Sequence, residues 1–331
     1  TLKDMEKKFG WMYETKHING DVGKINYTIW SDVFICPNCT GEFIYWNATI
    51  DENFKKIDGD LKCTHCSREL KKRDVERSWI NVYDTSLSKV TTQPKRTPAI
   101  INYTINGKRF NKSPDSSDLL LIEKTDKEKI TFPFPTTAIP NGDKTGEPLR
   151  LGMTNAHHFY TKRNLLILSA LWDAYKDNPK GRLVLTSVLI KPASLLHNVG
   201  LKGGKINLAG ALPNAIYIPS NIAERNIFQL IDGKIDDFSR ANLDRIKNKQ
   251  VVTLGSLSSS NISLSAKESV DYIFIDPPFG SNLHYSELSF LWEAWLGIIT
   301  NNKHEAIANR TQGKKSNEYR ILMTDCFKQA N

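Results

Sequence analysis

Four of the five cysteines stand in two Cys-x-x-Cys pairs, Cys36-Pro37-Asn38-Cys39 and Cys63-Thr64-His65-Cys66. No other feature of the chain limits its possible folds as sharply. Each pair sets two thiolates on one tight turn, and two such turns complete a tetrahedral four-sulfur site of the kind that holds Zn²⁺. Four protein ligands leave no open position, so the metal expected at Cys36, Cys39, Cys63 and Cys66 is structural. A module this small has too little core to fold unaided, and the metal supplies the missing free energy. A redox pair or unrelated buried cysteines are the competing readings; paired knuckles at ribbon spacing favour metal. Five cysteines in 331 residues are too few for a disulfide scaffold, which points to a reducing compartment, the cytoplasm of a prokaryote-like cell.

No run of about 18 apolar residues occurs, and Thr1 to Gly10 is charged rather than a basic stub before an apolar stretch. Neither a membrane span nor an export signal is therefore expected. Lys and Arg number 45 against 36 Asp and Glu, a formal charge of +9. That sign suits a polyanion binder, although many housekeeping enzymes share it. The length allows one large domain and a small one. Residues 1–30 offer a short helix and a strand at 24–30, residues 31–82 the ribbon, and residues 83–150 a connector with little core and one hairpin at Asn106-Gly107. The missing initial Met and the open helical pattern at 318–330 read as the interior of a longer protein.

Beyond Leu151 the pattern alternates between helix and strand. Thr161 opens a helix with Leu165, Leu168, Leu171, Trp172 and Tyr175 along one side, and residues 182–190 read as an apolar, β-branched strand. A Gly-rich loop at 200–210, a helix at 224–230, strands at 251–254 and 270–275, and a helix at 286–299 complete the series; the last turns Leu288, Leu291, Trp292, Trp295, Leu296 and Ile299 inward. Such alternation implies a doubly wound α/β sheet over residues 151–331, with functional groups at the carboxyl ends of strands.

One motif sits at such an end. The apolar run at 270–275 leads into Asp276-Pro277-Pro278-Phe279-Gly280. An exocyclic amine is a poor nucleophile because its lone pair is delocalised into the base, so a catalyst must accept its N–H hydrogens and favour a pyramidal nitrogen. Asp276 offers a carboxylate, and the prolines stiffen the turn so that the Pro277 carbonyl can point into a pocket. Phe279 would stack on a base flipped out of the duplex. The plainer reading is a strand-ending turn.

These residues resemble the catalytic motif, Asp-Pro-Pro-Tyr or Asp-Pro-Pro-Phe, of the amino-directed DNA methyltransferases of restriction-modification systems, which act on adenine N6 or cytosine N4. Gly255 to Phe279 is similar to that family's stretch from a Gly-Asp through a loop to Ser-Val-Asp and the tetrapeptide. Ser269-Val270-Asp271 is present, but Ser256 stands where the family has an acid that contacts the cofactor adenine. Gly280 to Gly297 is similar to a bacterial subgroup that also carries a zinc-ribbon insertion. The resemblance implies a Rossmann-like, S-adenosylmethionine-dependent fold, DNA as substrate, adenine before cytosine, and a restriction or defence partner. It makes residues 1–30 the tail of a preceding methyltransferase segment.

His158-Phe159-Tyr160-Thr161 resembles the sequence that these enzymes place near the methionine end of the cofactor. Phe159, Tyr160 and Thr161 are thus candidate cofactor residues, against the alternative of an aromatic staple with Thr161 as N-cap. His157 and His158 are adjacent and so expected to point apart, with no carboxylate at helical spacing; packing or turn roles are expected. The family's Phe-x-Gly-x-Gly loop is absent, and Lys202-Gly203-Gly204 and Gly210 read as a mobile loop. A chain of this extent is expected to bind S-adenosylmethionine weakly and to be inactive alone.

Arg68, Lys71, Lys72 and Arg73 follow the second knuckle, and Arg310, Lys314 and Lys315 follow the last apolar helix. Both runs are candidates for DNA phosphate contact or for a solvated face. The rival of a different class is a non-catalytic zinc-ribbon module that binds nucleic acid on a worn methylase scaffold; the intact Asp276 to Phe279 argues against wear. Methylation of RNA or of a protein amide commonly uses Asn in place of Asp276 and ranks below both.

Overall fold

The computed structural model of the protein describes residues 1–57, 61–241 and 271–330. Helix α1 (Leu2–Phe9) leads to a short strand β1 (Glu14–Lys16), which turns back into β2 (Val22–Ile35). The 14 residues of β2 form the spine of the fold. Ile25, Ile29, Val33 and Phe34 are all buried, because β2 is covered along most of its length, and it extends well past the alternating segment read from sequence.

Beyond Ser31 the same strand enters the ribbon, made of β3 (Glu42–Ile44), α2 (Tyr45–Thr49), β4 (Leu61–Lys62), β5 (Glu69–Leu70) and β6 (Glu76–Arg77). Strands β3 and β6 pair with the last residues of β2. Phe34, Phe43, Ala48, Leu61, Leu70 and Val75 pack around Cys36 and Cys63 in a small core of their own. Strands β7 (Trp79–Asp84) and β8 (Lys89–Pro94) form a hairpin outside the main sheet.

Strand β9 (Arg96–Ile105) returns antiparallel along β2, from Arg96 opposite Asp32 to Thr104 opposite Lys24. Asn106 and Gly107, with φ of 47° and 78°, then turn the chain into β10 (Lys108–Lys112). Two successive left-handed residues match the twist of the flanking strands, as the sequence predicts. The stretch 83–150 nevertheless contributes more than a connector, since Ile101 and Tyr103 of β9 lie in the main core.

Helix α3 (Ser116–Lys127) starts at a capping box in which Asp115 accepts from the Ser117 and Asp118 backbone N–H groups. The short α4 (Gly146–Arg150) precedes the central helix α5 (Lys162–Ala174). Every residue from Arg163 to Trp172 is buried, the signature of a helix enclosed on all sides. Next come α6 (Pro179–Thr186), β11 (Asn198–Lys202), β12 (Lys205–Gly210), β13 (Asn221–Arg225), α7 (Ile227–Ala241), α8 (Tyr285–Leu288), α9 (Phe290–Leu296) and α10 (Ser316–Ala330).

The main sheet has nine strands, with the path β10-β9-β2-β13-β11-β12, and every strand pairing among the described residues is antiparallel. This overturns the expected doubly wound sheet. Parallel neighbours need long crossovers, whereas here hairpin turns and distant returns bring β9 and β13 to opposite sides of β2. Local signals account for the misread elements. At 182–190 the Asn178 side chain accepts from the Gly181 N–H at 3.0 Å and Pro179 occupies the first turn, so a helix begins where a strand was expected. At 200–210 the expected loop is the β11–β12 hairpin, because Gly203 and Gly204 adopt φ of 58° and 69°. Residues 221–225 form a strand before the helix read at 224–230. The strand expected at 251–254, Gly255-Ser256 and Ser269-Val270 lie outside the described residues. Among the described residues no helix is long and apolar enough to cross a membrane.

Candidate metal centre and the Asp276 turn

The two knuckles repeat one backbone pattern. Cys36 N–H donates to Gly41 O at 3.0 Å and Cys63 N–H to Arg68 O at 2.9 Å. Thr40 and Ser67, the fourth residue after each first cysteine, adopt φ of 56° and 60° and donate back to the Cys36 and Cys63 carbonyls. Gly41 is required for packing, since a Cβ there would stand 2.9 Å from the His65 ring.

These turns set Cys36 Sγ 3.8 Å from Cys66 Sγ and Cys39 Sγ 3.8 Å from Cys63 Sγ. A tetrahedral zinc with Zn–S of about 2.3 Å requires sulfur–sulfur edges of about 3.8 Å. All four sulfurs lie within 4.8 Å of one another, and none is in a disulfide. The Arg68 backbone N–H and the Asn38 side chain pull the Cys66 thiol down, toward the thiolate that a metal needs, whereas Cys39, despite the Gly41 N–H, is pushed up by burial and the neighbouring thiols. The cluster is compatible with structural zinc. Cys326 lies far along the chain in α10 and is not part of it.

The basic run beside the ribbon divides. Lys71, Lys72 and Arg73 are exposed, but the Lys72 ammonium lies over the Tyr45 ring at 4.6 Å. Arg68 donates to Asn38 Oδ1 at 2.9 Å and so helps hold the knuckle. In the second run Lys314 donates to the carbonyls of Asn302 and Glu305 and closes a loop. Arg310 and Lys315 are exposed and border a shallow recess with Ser281 and Asp143.

Residues 271–279 form no regular element, and Tyr272 and Phe274 are 78% and 81% exposed. The strand expected at 270–275 is therefore not formed over its described residues. The turn that follows is fastened at its far side. Pro278 O accepts from the Tyr319 hydroxyl at 2.7 Å and from Gly280 N–H at 3.1 Å. Below it, buried His284, Glu287 and Asn309 form a polar cluster in which Asn309 Nδ2 lies 2.6 Å from Glu287 Oε1 and 3.1 Å from His284 Nδ1. Asp276 and Phe279 face solvent. The helix expected at 286–299 is split into α8 and α9, and only Leu291 and Trp295 of its expected inner face are fully buried; Trp295 Nε1 donates to the Tyr160 hydroxyl at 3.0 Å.

No known protein family, curated protein or solved structure matches the chain.

Phe159 is fully buried, and Tyr160 donates to Leu189 O at 3.1 Å. Thr161 caps α5 by accepting from Asn164 N–H and donates to Glu224. Glu224 is paired with the buried guanidinium of Arg163 and accepts from Trp30 Nε1 at 2.8 Å. All three residues thus have packing or capping partners within the chain, and Tyr160 and Thr161 also line a cleft of about 910 Å³ between the β7–β8 hairpin and the start of α5.

Directly before them lies a cluster that sequence reasoning missed. His157 Nε2 and His158 Nε2 both stand 2.8 Å from Asp84 Oδ2. The two rings converge rather than point apart, because Asp84 arrives from the distant β7–β8 hairpin. Burial tends to raise Asp84, but His158 and His157 more than offset it and hold the carboxyl at about 2. Burial lowers His158 despite Asp84.

Proposed function

We propose that the protein transfers a methyl group from S-adenosylmethionine to the exocyclic amine of a base flipped out of DNA, adenine N6 before cytosine N4. It would act in the cytoplasm within a restriction or defence system, with zinc held by the ribbon as a structural metal. The observation that carries this reading is the state of the Asp276 turn. Among the described residues neither the Asp276 carboxylate nor the Pro277 carbonyl is engaged, while the next carbonyl is tied down by Tyr319 and Gly280. Phe279 is 70% exposed, so its ring is accessible to a base, two and three residues along the chain from the two acceptors proposed for the amine. In that arrangement Asp276 accepts an amine hydrogen and stabilises the positive charge that grows on nitrogen.

A second reading is a zinc-ribbon module that binds nucleic acid without catalysis. It is favoured by the antiparallel sheet and by the exposure of Lys71 and Arg73 beside the knuckle. One experiment separates the two: the zinc-loaded protein, with whatever residues its gene encodes on either side, is incubated with methyl-labelled S-adenosylmethionine and DNA, and the nucleosides are analysed. Label in N6-methyladenine supports methylation of adenine. Retained DNA binding with no label in any base leaves the binding module.

Either reading predicts salt-sensitive DNA affinity. Lys71→Ala with Arg73→Ala is expected to flatten the slope of log affinity against log salt by about two units, about 0.9 for each phosphate no longer neutralised. Lys72→Ala is expected to change it less, because that ammonium is already placed over Tyr45. An unchanged slope in the double variant makes the run a solvated face.

A further inference from the structure

Asp84, His157 and His158 are each at least nine-tenths buried as side chains, and their ligand atoms lie within 4.8 Å of one another. They come from two elements held in place independently of each other. Asp84 ends β7, and its other oxygen accepts from the Ser86 and Leu87 backbone N–H groups at 2.9 and 3.2 Å. The histidines sit on the short turn Ala156–Phe159, where the Phe134 ring packs 5.8 Å from that of His157. His157 Nδ1 is buried with no hydrogen-bond partner. All three side chains line one cleft of about 910 Å³, walled by the apolar face of the β7–β8 hairpin and the start of α5.

We infer that these residues form a second metal site, open to the cleft and separate from the ribbon, for a divalent transition ion such as zinc, cobalt or iron. Two imidazoles and one carboxylate suit such ions better than calcium or magnesium, which take mostly oxygen. In the metal-free arrangement two N–H protons point at one carboxylate oxygen, and a cation would replace them. Three protein ligands leave coordination positions free, and all three ligand side chains line the cleft. That distinguishes the site from the closed four-sulfur centre. One contact works against loading: His158 Nδ1 accepts from Thr154 N–H at 3.0 Å, and a metal on Nε2 would put a proton on Nδ1 and break it. The ion is therefore held less tightly than the ribbon metal, and loading shifts each ring proton from Nε2 to Nδ1 rather than releasing it. Nothing in this site depends on the methyl-transfer reading.

The test uses Cys326→Ser protein with zinc in the ribbon, titrated with Co²⁺. The expected result is one further equivalent with weak visible d–d bands and no thiolate-to-cobalt charge transfer, removed by a chelator that leaves the ribbon zinc in place. Asp84→Asn and His157→Gln keep size and hydrogen-bonding capacity, and each is expected to weaken that equivalent at least about tenfold, the scale reached even by loss of outer metal partners. Retention of ribbon zinc and of the circular dichroism spectrum shows that each variant is folded. Failure to bind a further equivalent, or a further equivalent unchanged in both variants, overturns the inference.

Discussion

Replacing one knuckle cysteine, as in Cys63→Ser, is expected to abolish tight metal binding and to unfold the ribbon while the main sheet stays folded. Apparent free energies of structural zinc sites are about 10–16 kcal/mol at neutral pH, and the small cluster around Phe34 and Phe43 has nothing comparable to replace them. Melting is expected to stop near Ser31. From Tyr27 to Ser31 β2 is paired on one side with β9 and on the other with β13, whereas the strand partners of Val33 to Ile35 are the ribbon strands β3 and β6. Amide exchange is the direct measurement: N–H groups of residues 34–35 and 42–44 are expected to lose protection in the variant, and those of Ile25 and Ile29 to keep it. Elemental analysis of the parent protein is expected to find about one tightly held zinc for the four thiolates. Full reactivity of all five thiols without release of metal would exclude the ribbon as its ligand.

The knuckles were legible because tetrahedral geometry imposes a local spacing, and everything needed to recognise it lies within two short turns. The Asn106-Gly107 hairpin and the helix opened by Thr161 were legible for the same reason, since each is set by neighbouring residues. The sheet was not. Its central strand meets β9 and β13, which lie far away in sequence, and no local pattern states whether such neighbours run parallel or antiparallel. Residues 182–190 show how a start signal outweighs composition: Val184, Leu185 and Val188 are compatible with a strand, but Asn178-Pro179 nucleates a helix, and Leu185, Val188 and Leu189 become fully buried. Gly203-Gly204 is itself a hairpin signal, two residues that readily take positive φ, and it turns the mobile loop expected there into the β11–β12 corner. The Asp84 cluster could not be found within a window around His157, because its carboxylate comes from another element; an acidic residue at a hairpin corner was the one available sign.

Asp276→Ala is expected to lower methyl transfer at least about a hundredfold, the scale of losing one preorganised electrostatic interaction in a transition state. What decides this is the stage at which the hydrogen bond strengthens. A ground-state amine is nearly flat and nearly neutral, so its hydrogen bond to a carboxylate adds little to binding; as nitrogen becomes tetrahedral and positive, the same bond strengthens. Turnover is therefore expected to fall while DNA affinity changes little, the pattern of an interaction made mainly in the transition state. Phe279→Ala is expected to differ. In the proposed reaction its exposed ring would give a platform to the base before any bond changes, and losing such stacking costs about 1–3 kcal/mol per base, so capture of the flipped base is expected to weaken as well. Tyr319→Phe supplies a control for the turn itself: it removes the hydroxyl that fastens Pro278 O and leaves Asp276 chemically intact, so any loss it causes reports on how firmly the acceptors are aimed. A separation of Asp276 from Phe279 in turnover and affinity supports catalysis at this turn. Near-normal turnover in Asp276→Ala would reduce Asp276-Pro277-Pro278-Phe279 to a surface turn.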